Sequence, residues 1–302
     1  VCSSDLVRSH LEENSLPWKN AGISGWILDP DRKKMSKSKG NAVTPIDLLK
    51  EYGSDAVRYW ASMGRPGTDT AFDIGQMKIG KRLAVKILNA SKFALSLDAT
   101  LNKSDVKLDL DHSLLNKLSE VIDQATSAFH KYDYTKALEV TETFFWSFTD
   151  NYVELVKERT YGKQGEESAK SAKAALGLTI HALLRLFSPF VPFVCEEVWS
   201  WWQKGSVHLQ KWPTTSEVVS NPSISAVHLE IITNILAEVR KSKTERQLSM
   251  KAEVELLKIA ASNEILQQIK SSEKDLIAAG NIKKLELISN ESELKIEVKL
   301  AL

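Results

Sequence analysis

Cysteine is scarce in this 302-residue chain, which contains only Cys2 and Cys195. Two isolated cysteines without a Cys-x-x-Cys pair exclude a disulfide scaffold and a zinc-ribbon type of site, and they suit a reducing cytosol. An excess of one charge is also lacking, because the formal net charge is +1 at pH 7. Any anion-binding site must therefore come from a local cluster rather than an overall field. We expect a cytoplasmic location and no protein-bound metal.

Long uninterrupted apolar runs are lacking as well. The most apolar stretch, residues 175–199, is broken by His181, Arg185 and the adjacent Glu196 and Glu197. This pattern predicts a buried helix rather than a membrane span, and no membrane partner.

The chain also lacks an initiator methionine and a signal-peptide pattern. Its first six residues, VCSSDL, correspond to one reading frame of a common sequencing-adaptor tail. We therefore expect residues 1–6 to be non-native and the gene to be truncated upstream.

What is present is an ordinary globular composition, 43% hydrophobic and 26% charged, sufficient for two or three domains. Residues 1–72 predict a strand ending at Asp29, a basic loop, and two helices that break at Gly53 with Ser54 as a cap. Residues 73–215 predict a bundle of four or five helices, with a polar link near residues 102–111 after the first of them. Residues 216–302 predict one long helix and a small α/β unit. The fold class is therefore mainly α.

The stretch DPDRKKMSKSKGNAVTP, residues 29–45, carries five basic residues. A lysine run is commonly only a solvated face. Here Ser36 and Ser38 alternate with Lys37 and Lys39, and a glycine follows, so amides, hydroxyls and ammonium groups can converge on one polyanion. The spacing of a Walker loop is missing, so a P-loop nucleotidase fits poorly. The composition predicts a phosphate-binding loop.

The predicted helix at residues 226–247 changes from an apolar stripe to a cationic one. Arg240, Lys243 and Arg246 continue the face that carries the apolar residues. They can be solvated cations favoured at a helix C-terminus, or they can contact RNA phosphates. Both interpretations stay open on the residues alone.

The pentapeptide KMSKS, with Gly-Asn soon after it, resembles the signature loop of the class I aminoacyl-tRNA synthetases. Further segments resemble, in order, the C-terminal half of the valyl-tRNA synthetases of that class: AVTPIDLLKEYGSDAVRYWAS, DTAFDIGQMKIGKRLAVKILNASKF, SPFVPFVCEEVW, HLQKWP and EVRKSKTERQLSM. The resemblance covers nearly the whole chain after Leu6. The alternatives are the same part of an isoleucyl- or leucyl-tRNA synthetase, and a non-catalytic tRNA-binding module.

The resemblance implies a remnant of an α/β catalytic domain (1–72), an anticodon-binding bundle (73–215) and a small tRNA-contacting α/β domain (216–302). It implies ATP-dependent activation of valine and transfer to tRNA(Val) by the intact enzyme, with Mg²⁺ accompanying ATP and a monomeric state. Lys34 and Lys37 are the implied catalytic residues, because ammonium groups can stabilise charge on the leaving pyrophosphate. The implied ATP-binding residues are Lys34, Met35, Ser36, Lys37 and Ser38, and the implied tRNA-binding residues are Arg240, Lys243, Arg246 and Lys92.

One element expected from that class is lacking in the sequence. No His-x-Gly-His motif occurs, and the six histidines are scattered singly. Most of the nucleotide-binding fold, the valine pocket and the editing domain are lacking too. We therefore predict that the chain alone does not charge tRNA.

Overall fold

The computed structural model describes residues 3–36, 38, 40–41, 43–290 and 294–301. Helices dominate this part of the chain, which confirms the predicted fold class. The α-helices are α1 (Ser3–Glu13), α2 (Pro45–Tyr52), α3 (Ser54–Ser62), α4 (Ile74–Ser96), α5 (Asp109–His130), α6 (Tyr134–Ser147), α7 (Val153–Thr160), α8 (Glu166–Phe187), α9 (Pro192–Ser200), α10 (Thr215–Val218), α11 (Val227–Glu245), α12 (Asn263–Ser271) and α13 (Glu273–Gly280). The strands are β1 (Ile27–Leu28), β2 (Thr70–Ala71), β3 (Val254–Ala261), β4 (Leu285–Ser289) and β5 (Lys295–Leu300).

The basic loop follows a short parallel strand pair. β1 and β2 pair with Ile27 opposite Thr70, so the predicted strand is present but only two residues long. Gly25 lies just before β1 and packs closely against the Thr68 backbone. A Cβ at this position would lie 1.9 Å from the carbonyl oxygen of Thr68. The strand pair therefore depends on a close backbone approach that only glycine permits.

α2 and α3 lie between the loop and β2. Pro45 opens α2 as predicted, but the N-cap of α3 is Gly53 and not Ser54, which is the first helical residue. Gly53 has φ 88, a left-handed conformation that glycine adopts without steric cost.

The two helices are held firmly on the bundle. The Asp55 carboxylate accepts hydrogen bonds from the amides of Phe193 (3.0 Å) and Val194 (2.8 Å) in the first turn of α9. Where α3 crosses α4, a Cβ at Gly80 would lie 2.6 Å from the Tyr59 side chain. The helices that follow the basic loop are therefore fixed to the bundle by polar and steric contacts.

The bundle is built from α4 to α9 around one apolar core, with a π-helical segment at Phe148–Tyr152. The polar link predicted at residues 102–111 is wrong at its end, because α5 already begins at Asp109 and Asp111 is fully buried. None of the helices among the described residues is long and apolar enough to cross a bilayer.

Asp111 belongs to a buried ion cluster that joins three helices. The Arg159 guanidinium on α7 donates two hydrogen bonds of 2.7 Å to the Asp111 carboxylate on α5. It also lies 3.1 Å from Asp275 on α13. Tyr152 and Ser171 donate further hydrogen bonds to Asp111, at 2.7 and 2.5 Å. The C-terminal unit is thereby tied to the bundle.

The C-terminal unit is a three-stranded sheet in the order β4-β3-β5, with β4 parallel and β5 antiparallel to β3. The helix predicted between β3 and β4 is present as two helices that meet at Ser272. α11 buries Ile232, Ile235, Leu236 and Val239 as its pattern predicts. The apolar core is continuous across residues 72/73 and 215/216, and the three-domain division stays a prediction.

Candidate functional site

The basic loop starts as a tight hairpin. The amide of Arg32 donates to the Asp29 carbonyl (2.9 Å), and the amide of Asp29 donates to the Lys33 carbonyl (2.8 Å). Leu28 and Lys34 then form an antiparallel bridge, and Arg32 has φ 61. This is the pattern of a turn followed by one left-handed residue. It brings Lys34 back beside the strand that precedes it.

The two ends of the loop are joined by Asp29 and Asn41. The Asp29 carboxylate accepts from the amide of Lys33 and from the Asn41 side-chain amide, both at 2.8 Å. The Asn41 Oδ1 accepts from the amide of Ser36 (2.9 Å). The Lys33 amide and then the Asn41 amide lower the pKa of Asp29 below its ordinary value. We call this Asp29–Asn41 pair the clasp.

Sequence reasoning missed the clasp. Both residues were visible at the edges of the motif, Asp29 before Pro30 and Asn41 after Gly40. Asp and Asn are common in turns because their side chains bond nearby backbone groups. Only the structure pairs them with each other across twelve residues.

The structure locates four of the five predicted ATP-binding residues. Lys34 is exposed, and its Nζ lies 3.4 Å from the centre of the Trp26 ring. Met35 and Ser36 are half-buried, and the hydroxyls of Ser36 and Ser38 are 2.6 Å apart. Lys37 lies outside the described residues, so its assignment stays a prediction.

The loop can therefore present an ammonium group and hydroxyls from a base fixed by the clasp. Such groups suit phosphate oxygens rather than a metal ion. Among the described residues, no group of three or more His, Cys, Asp or Glu side chains could hold a metal.

The cationic end of α11 differs from its prediction. Lys243 is only 1% exposed, and its ammonium donates to the carbonyls of Met250 (3.0 Å) and Gly280 (2.8 Å). Burial lowers its pKa below the ordinary value. The prediction of a continuous exposed cationic face is therefore wrong at Lys243. Its buried ammonium binds the last carbonyl of α13. Arg246 is exposed.

Arg240 is half-buried and faces the π-helical segment. Its Nη1 donates to the Asp150 carbonyl (3.0 Å) and to Asn151 Oδ1 (2.9 Å). Lys86 on α4 contacts the same residue, with its Nζ 2.9 Å from the Asp150 carboxylate. The basic residues of α4 and α11 therefore meet at Asp150.

α4 carries five basic residues and no acidic one: Lys78, Lys81, Arg82, Lys86 and Lys92. Arg82 lies over the Trp146 ring, 5.4 Å from its centre. Lys78 and Lys92 are exposed and form no ion pair among the described residues. α4 is therefore a basic helix, with Lys92 near its C-terminal end.

Two protein families match this chain. "Anticodon-binding domain of tRNA ligase" matches residues 111–259, and "tRNA synthetases class I (I, L, M and V)" matches residues 1–73. The LeuRS of Agrobacterium radiobacter K84, solved in a ternary complex with tRNA and LeuAMS, superposes with a TM-score of 0.59 at 20% identity. That match covers 72% of this chain and 27% of the other, and it shows a shared fold.

Curated relatives match almost the full chain. The valine–tRNA ligase of Thermobifida fusca is 53% identical over 99% of this chain and 34% of its own length. Those of Salinispora tropica and Cutibacterium acnes are 50% and 46% identical over 98% of this chain, and over 36% and 34% of their own lengths. The chain thus spans about a third of these relatives. It belongs to the class I tRNA synthetases, and within them to the valine–tRNA ligases, of which it represents a part.

Proposed function

We propose that this chain forms the part of a valine–tRNA ligase that closes over ATP and holds tRNA(Val). The observation that carries the proposal is the basic loop, whose two ends are tied by the clasp beside a parallel strand pair. The intact enzyme would activate valine with ATP and transfer it to the tRNA. The valine pocket would lie outside this chain.

The loop's task follows from the charge that develops during activation. An oxygen of the valine carboxylate attacks the α-phosphorus, and the bond to the bridging oxygen breaks, so its electron pair leaves with pyrophosphate. Ammonium groups near that pyrophosphate stabilise the transition state more than bound ATP. Lys34 and Lys37 are the proposed groups. Met35, Ser36 and Ser38 would shape the loop around the phosphates.

Lys34 can leave its contact with Trp26 and reach a phosphate at a small cost in free energy. Its ammonium lies over Trp26, whose side chain is 58% exposed. A cation–π contact at an exposed site is worth only about 0.5–1 kcal/mol. A phosphate would therefore compete successfully with the indole ring. Trp26 would hold Lys34 near its working position when ATP is absent.

Mg²⁺ is expected with ATP in this class. The Asp29 carboxylate is engaged in the clasp and Asp31 pairs with Lys33. The rest of the loop offers ammonium groups and neutral hydroxyls, which do not fit the carboxylate-rich coordination that Mg²⁺ prefers. We therefore assign this loop no metal ligand. The loop's own role is to neutralise phosphate charge with lysine.

The ATP role is tested by exchanging the lysines in a full-length enzyme that contains this segment. We expect Lys37→Ala to lower ATP–pyrophosphate exchange by about a hundred- to a thousandfold, as for loss of one transition-state donor. Lys34→Ala should lower it as well. Lys33→Ala is the matched control, because Lys33 is exposed and its ammonium pairs with Asp31 (3.6 Å). Normal exchange by Lys37→Ala would refute the assignment.

The proposed RNA contacts are Arg240, Arg246 and Lys92. The support is that every charged residue of α4 is basic, and that Lys86 of α4 and Arg240 of α11 both contact Asp150. Such surfaces bind phosphates through counterion release, largely independently of sequence. Lys243 is left out because it is buried. We further propose that the enzyme acts as a cytoplasmic monomer.

The RNA role is tested with the purified chain and a tRNA(Val) transcript. Binding should weaken steeply with salt, and Lys92→Ala or Arg246→Ala should each reduce the logarithmic salt slope by about 1. Lys241→Ala is the control, because Lys241 pairs with Glu238 (3.6 Å) on an exposed part of α11. Identical slopes for all variants would contradict the assignment. The chain alone should bind tRNA but not charge it, and measurable charging would overturn that expectation.

A further inference from the structure

A cleft lies where residues 20–24 and Pro66 meet the turn between α5 and α6. Two adjoining cavities of about 530 and 320 Å³ share the lining residues Gly22, Ile23, Pro66 and Tyr132. This size is typical of small-ligand pockets. We call these two cavities together the Tyr132 cleft.

Tyr132 itself stands out in two respects. It has φ 59, a left-handed conformation that is unfavourable for a bulky residue, and its side chain is 63% exposed. The turn holds Tyr132 in this conformation. The Tyr132 amide donates to the Phe129 carbonyl (2.9 Å), and the Asp133 amide donates to the Ala128 carbonyl (2.9 Å). Strained residues of this kind cluster at ligand sites, where the surrounding structure maintains the strain.

The aromatic floor of the cleft is rigid. Phe129 stacks on Phe190 with ring centres 5.8 Å apart and contacts Trp212 edge-on at 5.2 Å. The Tyr134 hydroxyl donates a hydrogen bond to the Gly64 carbonyl. The floor therefore needs no reorganisation before a flat ring binds.

Two exposed lysines adjoin lining residues of the cleft in the chain, Lys19 before Asn20 and Lys131 before Tyr132. Neither forms an ion pair among the described residues. The nearby carboxylate of Asp133 is balanced by Arg65, whose Nε lies 3.6 Å away. The Asn20 and Ser24 side chains line the cleft without a hydrogen-bond partner in the described part of the chain. The cleft thus combines aromatic side chains with amide and hydroxyl groups that have no partner among the described residues, and a lysine precedes a lining residue in each of the two segments.

We propose that the Tyr132 cleft binds one unstacked nucleobase of the bound tRNA. An extruded base needs an aromatic face for stacking, polar groups for its edge, and cations for the flanking phosphates. An apolar peptide would use the aromatic surface but would leave the two lysines unpaired. The inference rests on the proposed tRNA binding and adds a base-stacking site to it.

The test uses the intact chain and a tRNA(Val) transcript. Asparagine tolerates the left-handed conformation, so Tyr132→Asn removes the ring and keeps the turn. Loss of one stacked base should weaken binding by about tenfold, within a range of roughly 5- to 150-fold. Because stacking releases no counterions, the salt slope should stay unchanged. Tyr132→Phe should bind like the unmodified chain.

Tyr161→Asn is the matched control. Tyr161 is 61% exposed in another inter-helix turn, and it lines neither cavity. Equal thermal unfolding of the variants checks that the fold is kept. Unchanged affinity of Tyr132→Asn, or an equal loss in Tyr161→Asn, overturns the base site and leaves the RNA function standing. Failure of the unmodified chain to bind tRNA overturns both.

Discussion

The two carboxylates on the Arg159 guanidinium should respond in opposite ways to the same substitution. Asp111 is fully buried and accepts four hydrogen bonds, from Tyr152, Ser171 and the two terminal nitrogens of Arg159. Asp275 is 4% exposed, accepts a hydrogen bond from Gln164 (2.9 Å) and forms an ion pair with Arg159 (3.1 Å). Two buried anions therefore share one cation.

The expected magnitudes follow from this imbalance. Burial, partly offset by Arg159 and reinforced by Asp111, raises the pKa of Asp275 from 3.8 to about 6. The folded state then binds this proton more tightly than the unfolded state, so stability falls as the pH rises from about 4 to about 6. This difference in the pKa of Asp275 between the unfolded and folded states corresponds to about 3 kcal/mol of unfolding free energy at most. Asp275→Asn should remove this loss and stabilise the chain at pH 7 by up to that amount.

Asp111→Asn should instead destabilise the chain by about 3–5 kcal/mol, because it leaves the buried Arg159 cation without its bidentate partner. Urea unfolding followed by circular dichroism, at pH 4.5 and pH 7, measures both effects. Hydrogen exchange of α13 reports whether the C-terminal unit loosens. Asp123→Asn, on the exposed side of α5, is the control.

Two outcomes would refute the reasoning about the cluster. One is a clear loss of stability in Asp275→Asn at pH 7. The other is a difference between this variant and the unmodified chain that does not change between pH 4.5 and pH 7. Either would mean that burial does not raise the pKa of Asp275 in the folded state.

Two further predictions concern single sites. Gly25→Ala should lower the free energy of unfolding by about 1–3 kcal/mol, because the added Cβ meets the Thr68 carbonyl oxygen. Gly22→Ala is the control, because a Cβ at Gly22 has open space around it. Equal stabilities of the two variants would contradict the expected clash. His181 stacks on Trp199 with ring centres 4.9 Å apart, and burial and then Arg185 lower its pKa to about 4. The folded state binds that proton more weakly, so acidification from pH 6.5 towards pH 4 should cost up to about 3 kcal/mol. His181→Gln should flatten this part of the pH profile in urea unfolding, and an unaltered profile would rule the effect out.

The helices and the C-terminal strands follow from local patterns. The segment VELLKIAA predicts a strand and is β3, and three- and four-residue spacing predicts α4 and α11. Local patterns misplaced the N-cap of α3 by one residue, from Gly53 to Ser54. They also predicted a polar link up to residue 111, where the structure has the start of α5 and a buried Asp111. Burial of a charged residue depends on partners that the local sequence does not contain.

The candidate site divides in the same way. The KMSKS pentapeptide identifies the basic loop, since cations, hydroxyls and a glycine stand within a few residues of one another. The clasp pairs residues twelve positions apart, and the Tyr132 cleft combines residues 20–24 with a turn more than a hundred residues later. Periodicity carries no information about such contacts.

Lys243 illustrates the boundary most directly. Helical geometry places it correctly on the face that continues from Val239, and the sequence alone determines that much. Whether this face ends in solvent or against another helix depends on where α13 packs. The structure places the Gly280 carbonyl at the end of α13, 2.8 Å from the Lys243 ammonium, where a cation is favoured. The sequence by itself determined which residue types stand together in the basic loop and which residues share a helical face, and the tertiary structure decided that Lys243 is buried against carbonyls while Lys92 and Arg246 stay exposed.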